Sequence, residues 1–336
     1  MFSDVPEAGP RQIHLLEPGS RIEQLRARRA RRWLQEHLDG FDLLHLHGVW
    51  DPILSTAVRL ATNHTVPWII TPHGMLDPWC MSQGRFKKHV AIRTWVRPIL
   101  QHARFIHALN EDECSGMASL VNSTPMEVIP NGVFLEELAK PESMRAFRSE
   151  HRELGEDPYI LFLSRLHYKK GLDVLVESFA RTLKQCRTAR LVIAGPDDGY
   201  ESTLRALIKH SPARDRVHLV GPLYGEAKRA AICEAECFCL PSRQEGFSMA
   251  ITEALGFGTP VVITKACHFP EVGDAGAGHV VDLDAQAVAT ALIDVLQKPD
   301  LRQTMGRAGT ELVRTRYTWP AIARRFDALF QEYNCS

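Results

Sequence analysis

The chain has 336 residues, 45% with hydrophobic side chains and 24% charged, an ordinary globular composition with enough length for two cores. Forty basic side chains balance forty acidic ones, so no whole-protein field argues for nucleic acid as a partner. The eight cysteines are scattered through a chain too long to need a disulfide framework, which fits a reducing cytoplasm, and neither a run of about 18 apolar residues nor an apolar stretch in the first eleven residues marks a membrane span or a signal peptide.

From Phe41 onward, short apolar runs alternate with amphipathic segments, the pattern of βα units and parallel sheets. Strands are expected at 43–47, 68–71, 105–108 and 127–129, with helices at 52–61, 87–100 and 111–120. A second series of strands is expected at 159–164, 190–194, 217–220, 237–241 and 261–264, with helices between them. Pro130-Asn131-Gly132-Val133 reads as a turn, and the charged stretch 136–156 reads as the connection, so the boundary falls near residue 138. Residues 1–138 and 139–317 then form two α/β domains. Residues 318–336 supply an amphipathic helix, with Ile322, Phe326, Leu329 and Phe330 on one side, that packs back across them. Cys233, Cys237 and Cys239 lack a CxxC spacing, and 235–240 reads as a buried strand, not a metal cluster.

Chemistry concentrates in the run from Leu240 to Pro260: an apolar strand, then Pro241-Ser242-Arg243-Gln244-Glu245-Gly246-Phe247, then a helix. If that helix starts directly after Glu245, the amides of Gly246, Phe247 and Ser248 point out of its N-terminus, where the dipole and the unpaired N–H groups favour a diphosphate. Glu245 at the mouth and Glu253 two turns on could accept hydrogen bonds from sugar and ribose hydroxyls. With forty acidic residues in the chain, the spacing of two carboxylates means little alone, and solvated helix carboxylates are the plain alternative. The strand–loop–helix context gives the pair its weight.

A second piece is the apolar strand through Ser164 and Arg165, followed by a short loop in which Lys170-Gly171 opens the next helix. Two cations at the carboxyl edge of a parallel sheet suit phosphates, Arg165 as a two-pronged donor and Lys170 as a point charge. Each alone could be a solvated surface cation, but both converge on the edge that Gly246 occupies.

These residues resemble glycosyltransferase family 4, the retaining group with the GT-B fold of two facing Rossmann-like domains, whose members carry a strand ending in GR or SR, a KG before a helix, an Ile-Ala-Gly strand and E-G-F-x5-E. The resemblance runs from about Asp42 to Tyr333 and is most specific in 158–264. It implies that Arg165 and Lys170 hold the donor diphosphate beside Ser164, that Glu245 contacts the donor sugar and Glu253 the ribose, and that Gly246, Phe247 and Ser248 lend amides. Gly221 and Leu223, in Val220-Gly221-Pro222-Leu223, look like the backbone contact to the base. The donor is then a UDP-, GDP- or ADP-sugar.

In the first half, Leu44-His45-Leu46-His47-Gly48-Val49-Trp50-Asp51 and the run Thr71-Pro72-His73-Gly74-Met75-Leu76-Asp77-Pro78-Trp79 resemble bacterial members that build exopolysaccharide or O-antigen. His73 matches the family histidine that faces the donor sugar across the cleft, with His47 a weaker candidate; a structural histidine is the alternative for each. The acceptor implied is a glycan or a polyprenyl-diphosphate-linked glycan, and no nucleic acid is involved.

Two basic segments, Arg26 to Arg32 and Arg85 to Arg97, carry interleaved apolar residues and could rest on anionic lipid at the inner face of the plasma membrane. The alternative is two solvated helix faces. A retaining glycosidase uses a carboxylate nucleophile about 5–5.5 Å from its acid, and no obvious carboxylate fills that role here. The resemblance implies same-face transfer instead, with the cations and amides stabilising the departing diphosphate, the leaving oxygen taking the acceptor proton, and no metal or cofactor required.

Family members open on a strand and a Gly-rich loop. Here Met1–Glu7 leads directly into a later part of the domain, so an incomplete N-terminal domain is expected. That leaves a non-catalytic subunit or inactive copy as an alternative to the transferase. A nucleotide-sugar epimerase on the same fold fits the motifs less well, and a dehydrogenase least, because no GxGxxG follows a strand.

Overall fold

A computed structural model describes residues 27–77, 80–81, 85–143 and 145–333, which divide into two compact units: one running to Pro130 and resuming at Ile322, the other Asn131–Ala321. The expectation of a missing first strand rests on Met1–Glu7, which lie outside the described residues.

In the first unit, α1 (Arg28–His37) precedes β1 (Leu44–His47), α2 (Pro52–Asn63) and β2 (Trp68–Thr71). The next helical stretch is α3 (Arg85–Ala91), which passes through a π-helical segment (Ile92–Val96) into α4 (Arg97–Gln101). β3 (Ile106–Ala108), α5 (Glu111–Met117) and β4 (Met126–Val128) follow, and the strands among the described residues are parallel in the order β1-β2-β3-β4. The helix starts are written locally. Asp51 accepts from the Ile53 amide at 3.0 Å with Pro52 at the first helical position, and Asn110 accepts from the Glu113 amide at 2.8 Å. Leu46, Ile70, Leu100, Ile106 and Met117 share one apolar core.

The second unit holds α6 (Ala146–Glu150), β5 (Tyr159–Leu163), α7 (Leu172–Thr182), β6 (Arg190–Ala194), α8 (Glu201–His210), β7 (Val217–Gly221), α9 (Gly225–Cys233) and β8 (Cys237–Leu240). α10 (Met249–Gly256), β9 (Val261–Thr264), α11 (Glu271–Asp274), β10 (Gly278–Val281), α12 (Ala285–Gln297) and α13 (Pro299–Arg316) follow. α14 (Trp319–Glu332) starts in this unit and continues from Ile322 in the first, where Phe330 packs against Phe105. The six strands are parallel in the order β10-β9-β8-β5-β6-β7. β10 is not among the expected strands: it begins on the last glycine of the Gly276-Ala277-Gly278 run and pairs in parallel with β9. Cys237 and Cys239 are buried on β8 as expected of core residues, and the described residues contain no cluster of three metal-binding side chains.

Chain order reverses between β5 and β8, and at such a switch point the loops leaving the two strands diverge and open a crevice. Glycine lets two backbones close in at its base. Gly171 has φ +65°, and a Cβ there would lie 1.8 Å from the Pro241 carbonyl oxygen. Gly171→Ala is therefore expected to destabilise the chain by more than about 2 kcal/mol, from left-handed strain plus the clash. Urea unfolding of the variant checks it, and a loss under about 0.5 kcal/mol would contradict this packing.

Imidazoles thread the first sheet. His107 Nε2 donates to the Ile129 carbonyl oxygen at 2.6 Å, so in the neutral ring Nδ1 is the acceptor, and it lies 2.8 Å from the Thr71 hydroxyl. His45 Nε2 lies 2.7 Å from the same hydroxyl. Burial, reinforced by neighbouring imidazoles, pushes His45 down to about 3; burial pushes His107 down to about 4. Unfolded imidazoles bind a proton near pH ~6.5, so below that pH the unfolded chain binds more protons than the folded one, and stability is lost as pH falls toward 4. Urea unfolding between pH 7 and 4 should show this acid limb, and His107→Gln, which cannot titrate, should make it shallower.

Candidate donor site

The loop after β5 makes a 3-10 turn, Tyr168–Lys170, capped by His167, whose Nδ1 accepts from the Lys169 amide at 3.0 Å. Gly171 in the left-handed conformation ends the turn and starts α7, so Lys170 sits on the turn and not on the helix as expected. Its ammonium lies 2.7 and 2.8 Å from the two carboxylate oxygens of Glu245, in the loop after β8. The Ser242 hydroxyl donates to the same carboxylate at 2.5 Å, and the Glu245 amide donates to the Ala266 carbonyl oxygen at 3.0 Å. The Lys170 and Glu245 side chains are only 12% and 7% exposed, so their attraction is poorly screened.

A second clasp ties the same two loops. The Arg243 guanidinium donates to both Asp173 oxygens at 2.8 and 2.7 Å, and lies 4.2 Å from the Tyr168 ring centroid.

The other predicted charges have partners that the sequence did not suggest. Arg165, 65% exposed just past β5, pairs with Asp198 at 2.6 Å. Glu253, buried on α10, pairs with Lys228 of α9 at 2.8 Å. Asp198 follows the Ile-Ala-Gly strand end and could have been suspected as a strand-end acid. Lys228 carries no local signal. Gly221 ends β7 with φ +76° and accepts at its carbonyl oxygen from the Gly195 amide at 2.9 Å, while Leu223 is half-buried beside the core. Ser164, just past β5, donates its amide to the Ala194 carbonyl oxygen at 3.1 Å.

The expected helix start is corrected. α10 begins at Met249, with Ser248 extended before it, so Gly246 and Phe247 belong to the loop. Packing explains the delay: the Phe247 ring is drawn against Phe269 and Tyr317, 5.6 and 6.0 Å between centroids. The first-turn amides that point out of the helix are those of residues from Met249 onward.

In the first unit, His73 lies just past β2 with φ +57°, a conformation rare for a residue with a Cβ. Its Nε2 is 2.9 Å from Nδ1 of His47, and the two rings stack at 5.2 Å. Partial burial lowers the pKa of both, so each ring is neutral at pH 7. The His47–His73 contact brings together the two histidines singled out in the sequence.

Comparison with known proteins identifies the family. The model of the Glycosyl transferases group 1 family matches residues 143–312, and that of the Glycosyl transferase 4-like domain matches residues 4–132. A phosphatidyl-myo-inositol mannosyltransferase of Mycobacterium leprae is 30% identical over 311 residues, 90% of this chain and 76% of that protein. Among solved structures, sucrose-phosphate synthase from Thermosynechococcus elongatus superposes with a TM-score of 0.75 at 23% identity, over 93% of this chain and 79% of that one. HepE of Anabaena, in complex with UDP, superposes with a TM-score of 0.77 at 16% identity, over 90% and 82%. The family transfers sugars from nucleotide-sugar donors without a required cofactor. With two parallel α/β sheets and both family models matched along its length, the chain belongs to the Glycosyl transferases group 1 family, glycosyltransferase family 4, and is a retaining glycosyltransferase of the GT-B fold.

Proposed function

We propose that this glycosyltransferase moves a hexosyl group from a nucleoside-diphosphate sugar to a lipid-linked acceptor at a cytoplasmic membrane face, in cell-surface polysaccharide biosynthesis. The observation that carries the donor half is the Lys170–Glu245 pair at the switch point. Lys170 and Arg165 take the diphosphate, Ser164 and the amides of Gly246, Phe247 and Ser248 line its approach, and Glu245 accepts from sugar hydroxyls. Glu253 serves the ribose, and Gly221 and Leu223 the base. In the first unit, His73 is the transfer residue. As the glycosidic bond breaks, negative charge grows on the diphosphate, and fixed cations stabilise it more there than in the ground state. The leaving oxygen then takes the acceptor proton, on the face it departs from.

The acceptor half rests on α3. Phe86 is 82% exposed and Val90 45%, and Lys87, His89 and Arg93 are exposed on the same helical stretch. Lys88 is turned inward, donating to the Cys80 carbonyl oxygen at 2.5 Å and lying over the Trp50 ring, and Arg97 donates to the Ser119 carbonyl oxygen at 3.0 Å, so the outward charge comes from Lys87 and Arg93. An exposed phenylalanine flanked by cations suits an anionic lipid interface. No helix among the described residues is long and apolar enough to cross a membrane. The Mycobacterium leprae relative is named for a phosphatidyl-myo-inositol acceptor, also an anionic amphiphile. Polyprenyl-diphosphate-linked sugar, phosphatidylinositol and free oligosaccharide, offered in parallel, test this: transfer to the free oligosaccharide alone would overturn the lipid-linked reading.

Lys170→Ala should lower turnover by about a hundredfold or more. Because Glu245 is then buried without its cation, the same change should also cost about 3 kcal/mol of stability, and adding Glu245→Gln should restore most of the stability and none of the turnover. Near-normal turnover in Lys170→Ala would remove its phosphate role. For the membrane, Phe86→Ser combined with Lys87→Glu and Arg93→Glu should weaken co-sedimentation with phosphatidylglycerol vesicles at least about tenfold, at about 1 kcal/mol per cation; equal binding to phosphatidylcholine vesicles by the unaltered protein would exclude the electrostatic part.

A further inference from the structure

We propose that Glu113 is a positioning residue for sugar transfer, holding the His73-Gly74 turn so that the His73 imidazole stays paired with His47. The inference rests on the reading of His73 as a transfer residue and adds to it the group that fixes its place.

Glu113 is buried on α5, and among the described residues no lysine or arginine nitrogen lies within 4.0 Å of it. Its carboxylate is satisfied by main-chain amides: Gly74 donates to Oε1 at 2.5 Å and Leu109 to Oε2 at 2.7 Å. Burial pushes the carboxyl pKa up, the two amides oppose that, and nearby Asp77 adds to it. A carboxylate kept in such a place is expensive, so what it holds is informative.

Local helix capping does not account for the arrangement. With Asn110 as N-cap and Glu113 three residues on, a capping box would send the carboxylate back to the Asn110 amide. Instead one oxygen takes the amide of the preceding residue, and the other leaves the helix for the loop after β2. There His73 and Gly74 are both left-handed, at φ +57° and +69°. Gly74 adopts that region freely, but His73 bears the cost of a Cβ there, which a contact from outside the turn can offset. An ionised carboxylate accepts from both amides at once. A glutamine offers one acceptor and turns an NH2 toward the other donor. Without the tie the turn relaxes and the 2.9 Å contact between His73 Nε2 and His47 Nδ1 opens, and a displacement near 1 Å at a reacting group costs about a hundredfold in rate.

The test compares wild type, Glu113→Gln, His73→Ala and the double variant, with turnover read as nucleoside diphosphate released from whichever of UDP-, GDP- or ADP-hexose the wild type consumes. Glu113→Gln should lower kcat about a hundredfold, leave KM for the sugar nucleotide within about twofold, and add nothing in the His73→Ala background. Long-range 15N–1H spectra should show the His47 and His73 ring nitrogens sharing one proton in wild type and separated in Glu113→Gln. A kcat within threefold of wild type, an equal further loss in the His73→Ala background, or unchanged imidazole spectra would overturn the proposal. If His73→Ala itself turns over normally, the reading of His73 falls, and the spectra still decide whether Glu113 holds the turn. If Glu113→Gln does not fold, hydrogen exchange at the Gly74 amide in wild type decides: protection of about a hundredfold or more supports the tie, and free exchange overturns it.

Discussion

An ammonium and a carboxylate, both nearly sealed from water and joined by two contacts of 2.7 and 2.8 Å, organise the carboxyl edge of the second sheet. Neither charge could be left there alone, since removing one partner of a buried pair leaves the other uncompensated. The pair therefore fixes the loops after β5 and β8 against each other, which the left-handed Gly171 and the Arg243–Asp173 clasp make possible from the backbone side. Because the strands are parallel and the strand order reverses between β5 and β8, these loops lie at the switch point of the sheet, where a crevice opens.

The first unit solves a different problem with neutral groups. His45, Thr71 and His107 form a hydrogen-bonded line ending at the Ile129 carbonyl oxygen, and His47 and His73 pair beyond it. Burial keeps these rings uncharged at pH 7, so they orient one another by hydrogen bonds and stacking without mutual repulsion. A cluster of cations there would oppose the left-handed turn at His73; a cluster of neutral donors and acceptors supports it.

Among the described residues, strand periodicity in the sequence located the four strands of the first sheet and five of the six in the second, because each is a short apolar run bounded by turn residues. β10 escaped because its glycine-rich approach carries no strand signal, and the start of α10 was misplaced because aromatic packing of Phe247 outweighs the local preference for an early helix. Lys170 and Glu245 could be singled out through strand context. Their mutual contact could not, since 75 residues separate them and only the sheet order brings their loops together. Glu113 did leave a trace, an asparagine three residues before a glutamate, but that pattern predicts a local cap, and its departure to Gly74 is visible only in three dimensions.

The three charged donor-site residues other than Lys170 also have internal partners: Arg165 with Asp198, Glu253 with Lys228, and Glu245 with Lys170. Donor binding at such a site exchanges one set of contacts for another, so affinity reflects a difference between them. The cost of that exchange is graded by burial. The Arg165–Asp198 pair is solvent-exposed, where ion pairs contribute about 0–1 kcal/mol, so its guanidinium is free to turn to a diphosphate at little expense. The buried Lys170–Glu245 pair is held more firmly, and on the proposed reading a diphosphate would take the ammonium and a sugar hydroxyl the carboxylate. On the proposed reading, a nucleoside diphosphate lacking the sugar would meet only the first of these needs and would leave Glu245 with the Ser242 hydroxyl as its remaining side-chain donor.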